Sequence, residues 1–286
     1  MATDCLGMDG PSDFTILRLT MRLAFFINET KPGAKAAARK LAAFAGTLGL
    51  KVVEGAKKPN VVISLGGDGT MLRCVREYPG VPVLGLNLGG LGYLSSVERK
   101  DFRRALELLA AGRYRVSDRT MISVSFEDGA EQGVALNDLL IARELSGHAV
   151  VLDLSVDGKS STRYMADGLV IATPTGSTAY SLAAGGPVVM SDSAALVVTP
   201  LSPHALGVRP LVVSDSVRLA VTSRPRVNGV AEKVGVYADG EAVGSLAENQ
   251  TVFITKAPHG AKLIELEGYD PYAVLAHKLG WSGTSC

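Results

Sequence analysis

Residues Asn60 to Leu72 read NVVISLGGDGTML and join an apolar strand to a glycine-rich loop and then to the start of a helix. The run from Val61 to Leu65 shows no polar alternation, which is typical of a parallel strand that is covered on both faces. Gly66, Gly67 and Gly69 lack the Cβ atoms that would keep a ligand away from the backbone, so amide N–H groups of the loop can point at phosphate oxygens. The stretch therefore predicts a strand, a phosphate-binding loop and a helix in direct succession.

Asp68 is the one charged residue within this loop. A carboxylate repels a neighbouring phosphate, unless it binds the metal that accompanies the phosphate or takes a proton from an attacking hydroxyl. Thr70 is placed to cap a helix that starts near Met71. The alternative is that Gly-Gly-Asp-Gly forms only a tight turn, because glycine and aspartate are ordinary turn residues.

The composition indicates a globular protein. The chain has 286 residues, of which 47% are hydrophobic, and this is enough for two modest domains with filled cores. Its formal net charge is +1, without a long run of Lys or Arg, so we expect small-molecule partners and no nucleic acid. No apolar run reaches the ~18 to 20 residues of a membrane span, so no membrane association is expected. The widely spaced Cys5, Cys74 and Cys286 form no disulfide framework, which favours a cytoplasmic location.

Residues 21–118 alternate between apolar strands and stretches with helical spacing. Leu23 to Ile27 and Val81 to Leu86 are predicted strands, and Gly33 to Leu48, rich in Ala, Lys and Leu, is a predicted helix. This alternation favours a Rossmann-like α/β domain with a mostly parallel sheet, which binds ligands at the carboxyl ends of its strands. Residues 1–20 are predicted to form a flexible extension before it.

The pattern changes near Thr120. From there the segments are short, rich in strand-forming residues and separated by turns, so we place a domain boundary near Arg115 to Arg119. The sequence therefore predicts an antiparallel β-sandwich domain over residues 119–268, and the segment KLIEL at residues 262–266 is counted among its strands.

The last segment, residues 269–286, contains a predicted helix around Ala273 to Leu279. A terminal helix after a β domain needs a surface to pack on. We expect it to return to the α/β domain, with Leu275 and Trp281 in the contact.

Polar residues occur at two places in the β-rich part of the chain where a core ordinarily contains apolar residues. Asn137 and Asp138 are an amide beside a carboxylate, a pair that can recognise the two hydroxyls of a ribose. The alternative is a turn at the end of a strand. Thr173 to Tyr180 read TPTGSTAY, which offers hydroxyl donors and an aromatic face on which a base can stack. Entry into a helix explains one cap in this run but not the whole of it.

A third stretch, Tyr237 to Glu241, reads YADGE. By itself it predicts a plain hairpin turn, because Asp-Gly between alternating strands is a strong hairpin signal.

Taken in order, these stretches resemble the NAD kinase family. The motifs that carry the resemblance are GGDGT, GLNLGGLGYL, the Asn-Asp pair, DGLVIATPTGSTAYSLAAGGP, SPHALGVRPLVV, ADGE and a terminal helix that ends in LGW. The resemblance covers about Met21 to Trp281, and its most specific part is Thr173 to Pro187. Diacylglycerol and sphingosine kinases share the GGDGT loop without this segment.

The resemblance implies a Mg²⁺-dependent transfer of the terminal phosphoryl group of ATP, or of inorganic polyphosphate, to the 2′-hydroxyl of the adenosine ribose of NAD, which forms NADP. It implies that Asp68 is the catalytic carboxylate, that Asn137 and Asp138 bind ribose, and that Asp167 lies near the nicotinamide. No residue is assigned as a metal ligand. The complete set of expected substrate-binding residues is Gly66, Gly67, Gly69, Thr70, Tyr93, Asn137, Asp138, His148, Asp167, Thr175, Thr178, Ala179, Tyr180, Ser181, Leu182, Ala183, Asp239 and Glu241.

The chain departs from the family pattern at two positions. Met165 stands where relatives often carry a basic residue, and Leu94 stands where some have a second aromatic residue, which leaves Tyr93 as the expected stacking partner. The resemblance also implies a homodimer or a homotetramer. Two other functions stay open: a lipid kinase, against which the TPTGSTAY run argues, and a non-catalytic NAD-binding sensor, against which the intact GGDGT argues.

Overall fold

The computed structural model describes residues 21–53, 58–89, 92–95, 97–127, 129–144, 148–225 and 233–281. The predicted extension at residues 1–20 lies outside the described residues, as do Cys5 and Cys286.

The first part of the chain alternates strands and helices, as predicted. Its elements are β1 (Arg22–Ile27), α1 (Ala34–Thr47), β2 (Lys51–Val52), β3 (Val61–Gly66), α2 (Asp68–Glu77), β4 (Val83–Asn87), α3 (Phe102–Ala110) and β5 (Tyr114–Arg119).

Short strands then dominate up to a last helix. These elements are β6 (Ile122–Ser125), β7 (Glu131–Ala135), β8 (Asp138–Arg143), β9 (Val150–Val156), β10 (Lys159–Ala166), β11 (Gly168–Ala172), α4 (Tyr180–Ala183), β12 (Ala195–Leu201), β13 (Leu211–Ser214), β14 (Leu219–Arg224), β15 (Val234–Ala238), β16 (Glu241–Leu246), β17 (Thr251–Lys256), β18 (Ala261–Leu266) and α5 (Pro271–Leu279).

The α/β sheet has the strand order β2-β1-β3-β4-β18-β5 in the described part of the chain. Strands β1 to β4 pair in parallel, and Gly66 at the end of β3 lies opposite Asn87 at the end of β4. The loops that follow these two strands therefore meet at one edge of the sheet, where ligands of open α/β sheets bind.

Strand β3 is buried on both faces, as its unbroken apolar run predicts. Val61, Ile63 and Leu65 pack in the apolar cluster that includes α1 and α3. Val62 points the other way, into the cluster that includes α2. The side chains of a strand alternate between the two faces of its sheet, so helices on both sides favour apolar or small residues at every position, as with the buried Ser64.

Helix α2 begins earlier than predicted. The backbone N–H groups of Thr70 and Met71 both donate to Gly67 O, at 2.9 and 3.0 Å, so the first helical residue is Asp68 rather than Met71. Thr70 is not the residue that precedes the helix; its hydroxyl accepts a hydrogen bond from Gly67 N at 3.4 Å from inside the first turn. Asp68 consequently stands at the N-terminus of the helix and not in the loop before it.

The assignment of residues 262–266 to the second domain is wrong. Strand β18 pairs in parallel with β4 and antiparallel with β5, so it completes the α/β sheet. Leu263 and Ile264 are buried in the apolar clusters on the two faces of that sheet. An apolar run specifies a strand but not its partner, and here the partner comes from the other end of the chain.

The predicted antiparallel sandwich is confirmed. In the described part of the chain it has two sheets, with the orders β10-β9-β14-β17-β6-β7 and β13-β12-β11-β8-β15-β16. Leu139 and Ile141 of β8 point into the core between the sheets, whereas Leu140 packs in a smaller cluster on the outer face. This period of two places Asp138, the first residue of β8, on the same outer face as Leu140.

Helix α5 lies against the α/β domain through one of the two predicted residues. Its N-terminus is capped by Asp270, whose carboxylate accepts hydrogen bonds from Tyr272 N and Ala273 N. Leu275 is buried and lines a cavity together with residues of β18. Trp281 is 59% exposed, so the expected contact of this side chain is wrong.

The position of Trp281 follows from the end of the helix. Gly280 has a positive φ of 65° and turns the chain away after Leu279.

None of the helices in the described part of the chain is both long enough and apolar enough to cross a membrane.

Candidate active site

The Asp68 carboxylate is held by the loop that follows β4. Oδ1 accepts hydrogen bonds from Leu94 N at 3.2 Å, Ser95 N at 3.0 Å and Ser95 Oγ at 2.7 Å. Oδ2 accepts from Tyr93 N at 2.7 Å, its one donor among the described residues. A carboxylate oxygen has about two lone pairs, so Oδ1 is saturated and Oδ2 can accept one more hydrogen bond. Asp68 is thus fixed in orientation with one oxygen available to a ligand.

Two glycines near Asp68 are required by close packing. A Cβ atom on Gly92 would lie 2.0 Å from Asp68 Oδ1, and one on Gly66 would lie 2.2 Å from Thr70 Oγ1. The space beside Gly66 is therefore filled by Thr70 and not by a ligand. By contrast, no described atom lies within 4 Å of a Cβ built on Gly67 or Gly69, so this side of the loop is open to a ligand.

The N-terminus of α2 offers hydrogen-bond donors. Within the described part of the chain, no acceptor is found for the backbone N–H groups of Asp68 and Gly69. Such N–H groups at a helix N-terminus, with the positive end of the helix dipole, favour an anion such as a phosphate. The prediction that the loop presents amide groups to phosphate fits this geometry.

Asp239 organises the Asn137–Asp138 turn. Its carboxylate accepts hydrogen bonds from the backbone N–H groups of Leu136 at 2.9 Å, Asn137 at 2.8 Å and Asp138 at 3.2 Å. The YADGE hairpin turn is present, with Asp239 at a positive φ of 47°. Most of the acceptor capacity of Asp239 is used by this backbone, so it holds two expected ribose ligands in place.

The side chains of Asn137 and Asp138 are themselves uncommitted. No hydrogen bond of either side chain is found among the described residues. Asn137 is half-buried and Asp138 is buried. Burial, and then the charge of Asp239, raises the pKa of the Asp138 carboxyl from 3.8 to about 6. A half-buried amide beside a buried carboxyl, neither with a side-chain partner among the described residues, is suited to bind the hydroxyls of a ligand.

We expect Asp138→Asn to stabilise the protein near neutral pH. Below pH 3.8 the Asp138 carboxyl is neutral in both the folded and the unfolded chain. As pH rises toward the folded pKa of about 6, the unfolded chain ionises first, so folding becomes less favourable. The shift corresponds to about 3 kcal/mol, or several degrees in Tm. Tm measured from pH 4 to pH 7.5 should fall for the wild type relative to Asp138→Asn.

Asp153→Asn is the control, because its expected change in Tm near neutral pH has the opposite sign. The pKa of Asp153 is lowered to about 2, first by its hydrogen bond with Arg163, so its contribution to stability is present near neutral pH and is lost as pH falls toward 2. Asp153→Asn should therefore lower Tm at pH 7. An unchanged pH profile in Asp138→Asn would contradict the raised pKa of Asp138.

The TPTGSTAY segment lies directly on the Asn137 turn. Thr173 N donates to Asn137 O at 2.9 Å, and Thr173 Oγ1 donates to Leu136 O at 2.5 Å. The segment then forms a short 3₁₀ turn at Thr175–Thr178 before α4. The helix-entry alternative does not hold, because neither this turn nor α4 has a side-chain cap; the buried Ser177 hydroxyl donates to Pro174 O and accepts from Val189 N. The two polar stretches of the second domain therefore form one surface.

A cavity joins this surface to the Asp68 loop. Its lining includes Tyr93 from the loop that holds Asp68, and Thr175 and Thr178 from the TPTGSTAY segment. Helix α5 closes another side with Leu275, and the Lys278 ammonium lies 5.3 Å from the centroid of the Tyr93 ring. Thr175 is buried, and its hydroxyl has no hydrogen-bond partner in the described part of the chain. The predicted stacking residue and the predicted hydroxyl donors thus face the same space.

Direct contacts also connect the two domains at this place. Leu136, next to Asn137, packs in the same buried cluster as Met71 of α2. Arg76 of α2 pairs with Glu241 at 2.5 Å. Glu241 is therefore engaged with the other domain. The cavity is therefore a cleft between the α/β domain and the sandwich.

Asp167 and His148 lie away from this cleft. Asp167 precedes Gly168, which starts β11, whereas Asp138 pairs with Ala172 at its other end. At about 3.4 Å per residue, this places Asp167 roughly 17 Å from Asp138 along the strand. Asp167 pairs with Arg143 at 2.9 Å. His148 is exposed and shortly precedes Val150, which pairs with Ala166 next to Asp167.

The α4 residues divide by exposure. Ser181 is fully buried and its hydroxyl bonds to that of Thr199 at 2.8 Å, so this side chain serves the fold. Tyr180 is 45% exposed, and its ring is accessible for stacking. The remaining expected residues of this segment that are not fully buried are Ala179, Leu182 and Ala183.

Ser95 and Arg76 are two residues of the site that the sequence analysis missed. Ser95 supplies two of the four hydrogen bonds to Asp68, and it follows the GYL end of a motif that was noted for its glycines. Arg76 occupies a polar position in the helical pattern of α2, and such a position by itself predicts only a solvent-exposed helix face. Neither has a local signal, because the role of each depends on a partner that is distant in the sequence.

Comparison with known proteins gives the family. The family model of the ATP-NAD kinase N-terminal domain matches residues 51–114 of this chain, and the family model of the C-terminal domain matches residues 136–266. The NAD kinase of Symbiobacterium thermophilum is 38% identical over 287 residues, which cover 92% of this chain and 99% of the relative. That of Syntrophotalea carbinolica is 39% identical over 227 residues, which cover 78% of each chain.

Solved structures agree in fold. Yeast NADH kinase complexed with NADH has a TM-score of 0.82 at 23% identity and covers 93% of this chain and 89% of its own. An NAD kinase from Archaeoglobus fulgidus in complex with ATP has a TM-score of 0.76 at 25% identity and covers 92% of this chain and 100% of its own. With both domain models matched and relatives aligned over most of its length, the chain belongs to the NAD kinase family.

Proposed function

We propose that the protein transfers the terminal phosphoryl group of ATP to the 2′-hydroxyl of the adenosine ribose of NAD, forming NADP and ADP. The observation that carries this proposal is the geometry of Asp68. One of its oxygens is saturated by the protein and the other can accept a hydrogen bond, and the same residue begins a helix whose first N–H groups have no acceptor among the described residues. Membership of the NAD kinase family supports the choice of substrates.

Asp68 acts on the attacking hydroxyl. Its Oδ2 accepts the hydrogen bond of the ribose 2′-hydroxyl and takes the proton as the oxygen attacks the terminal phosphorus of ATP. A bond forms between the ribose oxygen and that phosphorus, and the bond from the phosphorus to the bridging oxygen breaks, so ADP leaves. The proton then passes from Asp68 to solvent. Most of the rate gain in such transfers comes from positioning and charge stabilisation, which suits a carboxylate fixed by four hydrogen bonds.

Asn137 and Asp138 orient the dinucleotide. They hold the ribose hydroxyls at the cleft, and the bases lie against Tyr93, Thr175, Thr178 and the exposed face of α4. Asp167, together with His148, can meet only the far end of an extended dinucleotide bound at Asn137. This agrees with the expected place of Asp167 near the nicotinamide.

The donor phosphates lie at the N–H groups of Asp68 and Gly69. Among the described residues, no group of three or more His, Cys, Asp or Glu side chains is placed to hold a metal ion. Mg²⁺ would be carried mainly by the phosphates of its nucleotide, because the one open acceptor position of the Asp68 carboxylate receives the ribose hydroxyl. When bound, Mg²⁺ neutralises the charge that develops on the transferred phosphoryl group.

The assay is expected to show NADP formation from NAD with ATP and Mg²⁺, and a loss of activity when EDTA removes the metal. A lipid kinase would phosphorylate diacylglycerol instead, and a sensor would bind NAD without turnover. The purified protein should be incubated with each donor, ATP or polyphosphate, and each acceptor, NAD, NADH or diacylglycerol. Phosphorylation of diacylglycerol but not of NAD would overturn the proposal.

We also propose that the protein is a cytoplasmic homodimer or homotetramer. The cysteine spacing and the family resemblance support this. Light scattering after size-exclusion chromatography would give the mass of the assembly, and a monomer would contradict it.

A further inference from the structure

Helix α2 is fastened at both ends. At its N-terminus the Asp68 carboxylate accepts hydrogen bonds from Tyr93, Leu94 and Ser95. In its last turn Arg76 Nη2 lies 2.5 Å from Glu241 Oε1, across the boundary between the domains. The Arg76 side chain is 20% exposed and that of Glu241 is 61% exposed, so the pair stands at the rim of the cleft.

Glu241 connects this ion pair with the part of the site that contains Asn137 and Asp138. Glu241 follows the Asp239-Gly240 turn, and the Asp239 carboxylate holds the backbone N–H groups of the Asn137 turn. Burial raises the pKa of Asp239, whereas its three backbone donors and the charge of Arg76 act in the opposite direction. The Arg76 guanidinium therefore favours the ionised form of Asp239, which accepts these hydrogen bonds.

We propose that Arg76 is a positioning residue: through Glu241 and the Asp239 turn, it sets the place of Asn137 and Asp138 relative to Asp68. This inference rests on the proposed function for its kinetic part. Ten helical residues span about 15 Å and bend little, so α2 transmits the position of one end to the other. A displacement of about 1 Å between reacting groups can cost up to 10²-fold in rate, so even a contact at the rim can matter.

The first experiment measures backbone hydrogen exchange. In Arg76→Ala, the N–H groups of Leu136, Asn137 and Asp138 should exchange faster than in the wild type, because the carboxylate that accepts them is less firmly held. Amides in the core of the sandwich, such as that of Ile141, should not change. This measurement needs no substrate, so it tests the contact even if NAD is not phosphorylated. Unchanged exchange at the three amides would overturn the proposal.

The second experiment separates positioning from folding. Arg76→Ala and Glu241→Gln should each lower kcat/KM for NAD by about three- to ten-fold, with Tm nearly unchanged, because exposed ion pairs contribute little to stability. Since both act through one contact, the double variant should be no worse than either single variant. Arg76→Lys should recover part of the loss, and added salt should slow the wild type more than Arg76→Ala.

Arg163→Ala is the matched control. Arg163 also makes a short pair with an acidic residue, at 2.6 Å to Asp153, but on strands β10 and β9 of the sandwich and not at the domain boundary. Arg163→Ala should leave kcat/KM for NAD at the wild-type value. Additive effects of Arg76→Ala and Glu241→Gln, or wild-type kinetics in both, would remove Arg76 from this role while leaving the proposed function intact. An inactive wild type would instead reject the proposed function.

Discussion

Asp68→Asn should lower kcat for NADP formation by about 10²- to 10⁴-fold, which is the usual contribution of a general base. Asparagine is nearly isosteric with aspartate, but its amide nitrogen cannot take a proton. Its oxygen can still accept the hydrogen bonds of Leu94 and Ser95 that reach Oδ1 in the wild type. The NH₂ group would then face Tyr93 N, so one hydrogen bond of the loop is lost.

The lost hydrogen bond sets the expected change in stability. Leaving one donor unsatisfied costs about 1–3 kcal/mol, so Tm should fall by a few degrees while the protein stays folded at assay temperature. The Kd for NAD, measured by calorimetry, should change little in comparison with kcat. This combination separates loss of chemistry from loss of structure.

Ser95→Ala is the control for disturbance of the loop. It removes one of the donors to Oδ1 and keeps the carboxylate, so kcat should fall by less than about ten-fold. If Ser95→Ala reduced kcat as much as Asp68→Asn, the loop and not the proton acceptor would account for the loss. A near wild-type kcat in Asp68→Asn would move the catalytic role to another residue.

The parts of the fold that were predictable are those with a local cause. The apolar run of β3 predicted a strand buried on both faces, because both sides of a parallel sheet are covered. The short segments after residue 120 are rich in strand-forming residues and separated by turns. They predicted the sandwich because these signals are also local. That the glycine loop and the TPTGSTAY segment bind a nucleotide stays a prediction from their amide and hydroxyl donors; the hydroxyls of Thr173 and Ser177 serve the fold instead.

Features with a distant cause were not predictable. Nothing within β18 distinguishes the edge of the sandwich from the gap between β4 and β5, because both accept an apolar strand. Asp239 reads locally as a turn residue, yet it holds a turn one hundred residues away. The start of α2 was misplaced because the loop was assumed to end before the helix, whereas Asp68 belongs to the first helical turn. For β18 and Asp239 the sequence predicts the element, and the pairing of elements decides the role; the start of α2 was a local error.

Asn137→Ala should lower kcat/KM for NAD by roughly ten- to hundred-fold, since the loss of one hydrogen-bonding partner of a desolvated ribose costs on the order of 1–3 kcal/mol. The turn itself should survive. It is held by Asn137 N donating to the Asp239 carboxylate and by Asn137 O accepting from Thr173 N, and both bonds use backbone atoms of Asn137 that remain in the variant. The KM for ATP should change much less, because the proposed place of the donor phosphates is the N-terminus of α2.

The alternative, that Asn137 only closes a turn, has a different signature, which Asn60 illustrates. Asn60 Oδ1 accepts a hydrogen bond from Arg22 N at 2.9 Å at the start of β3, away from the cleft. Asn60→Ala should therefore lower Tm and leave the kinetics of the folded protein unchanged. Asn137 has no such side-chain bond among the described residues, so its truncation should do the reverse. Measuring Tm and kcat/KM for NAD in both variants decides the matter: if Asn137→Ala behaves like Asn60→Ala, the amide does not bind the dinucleotide, and Asp138 is left to hold the ribose without it.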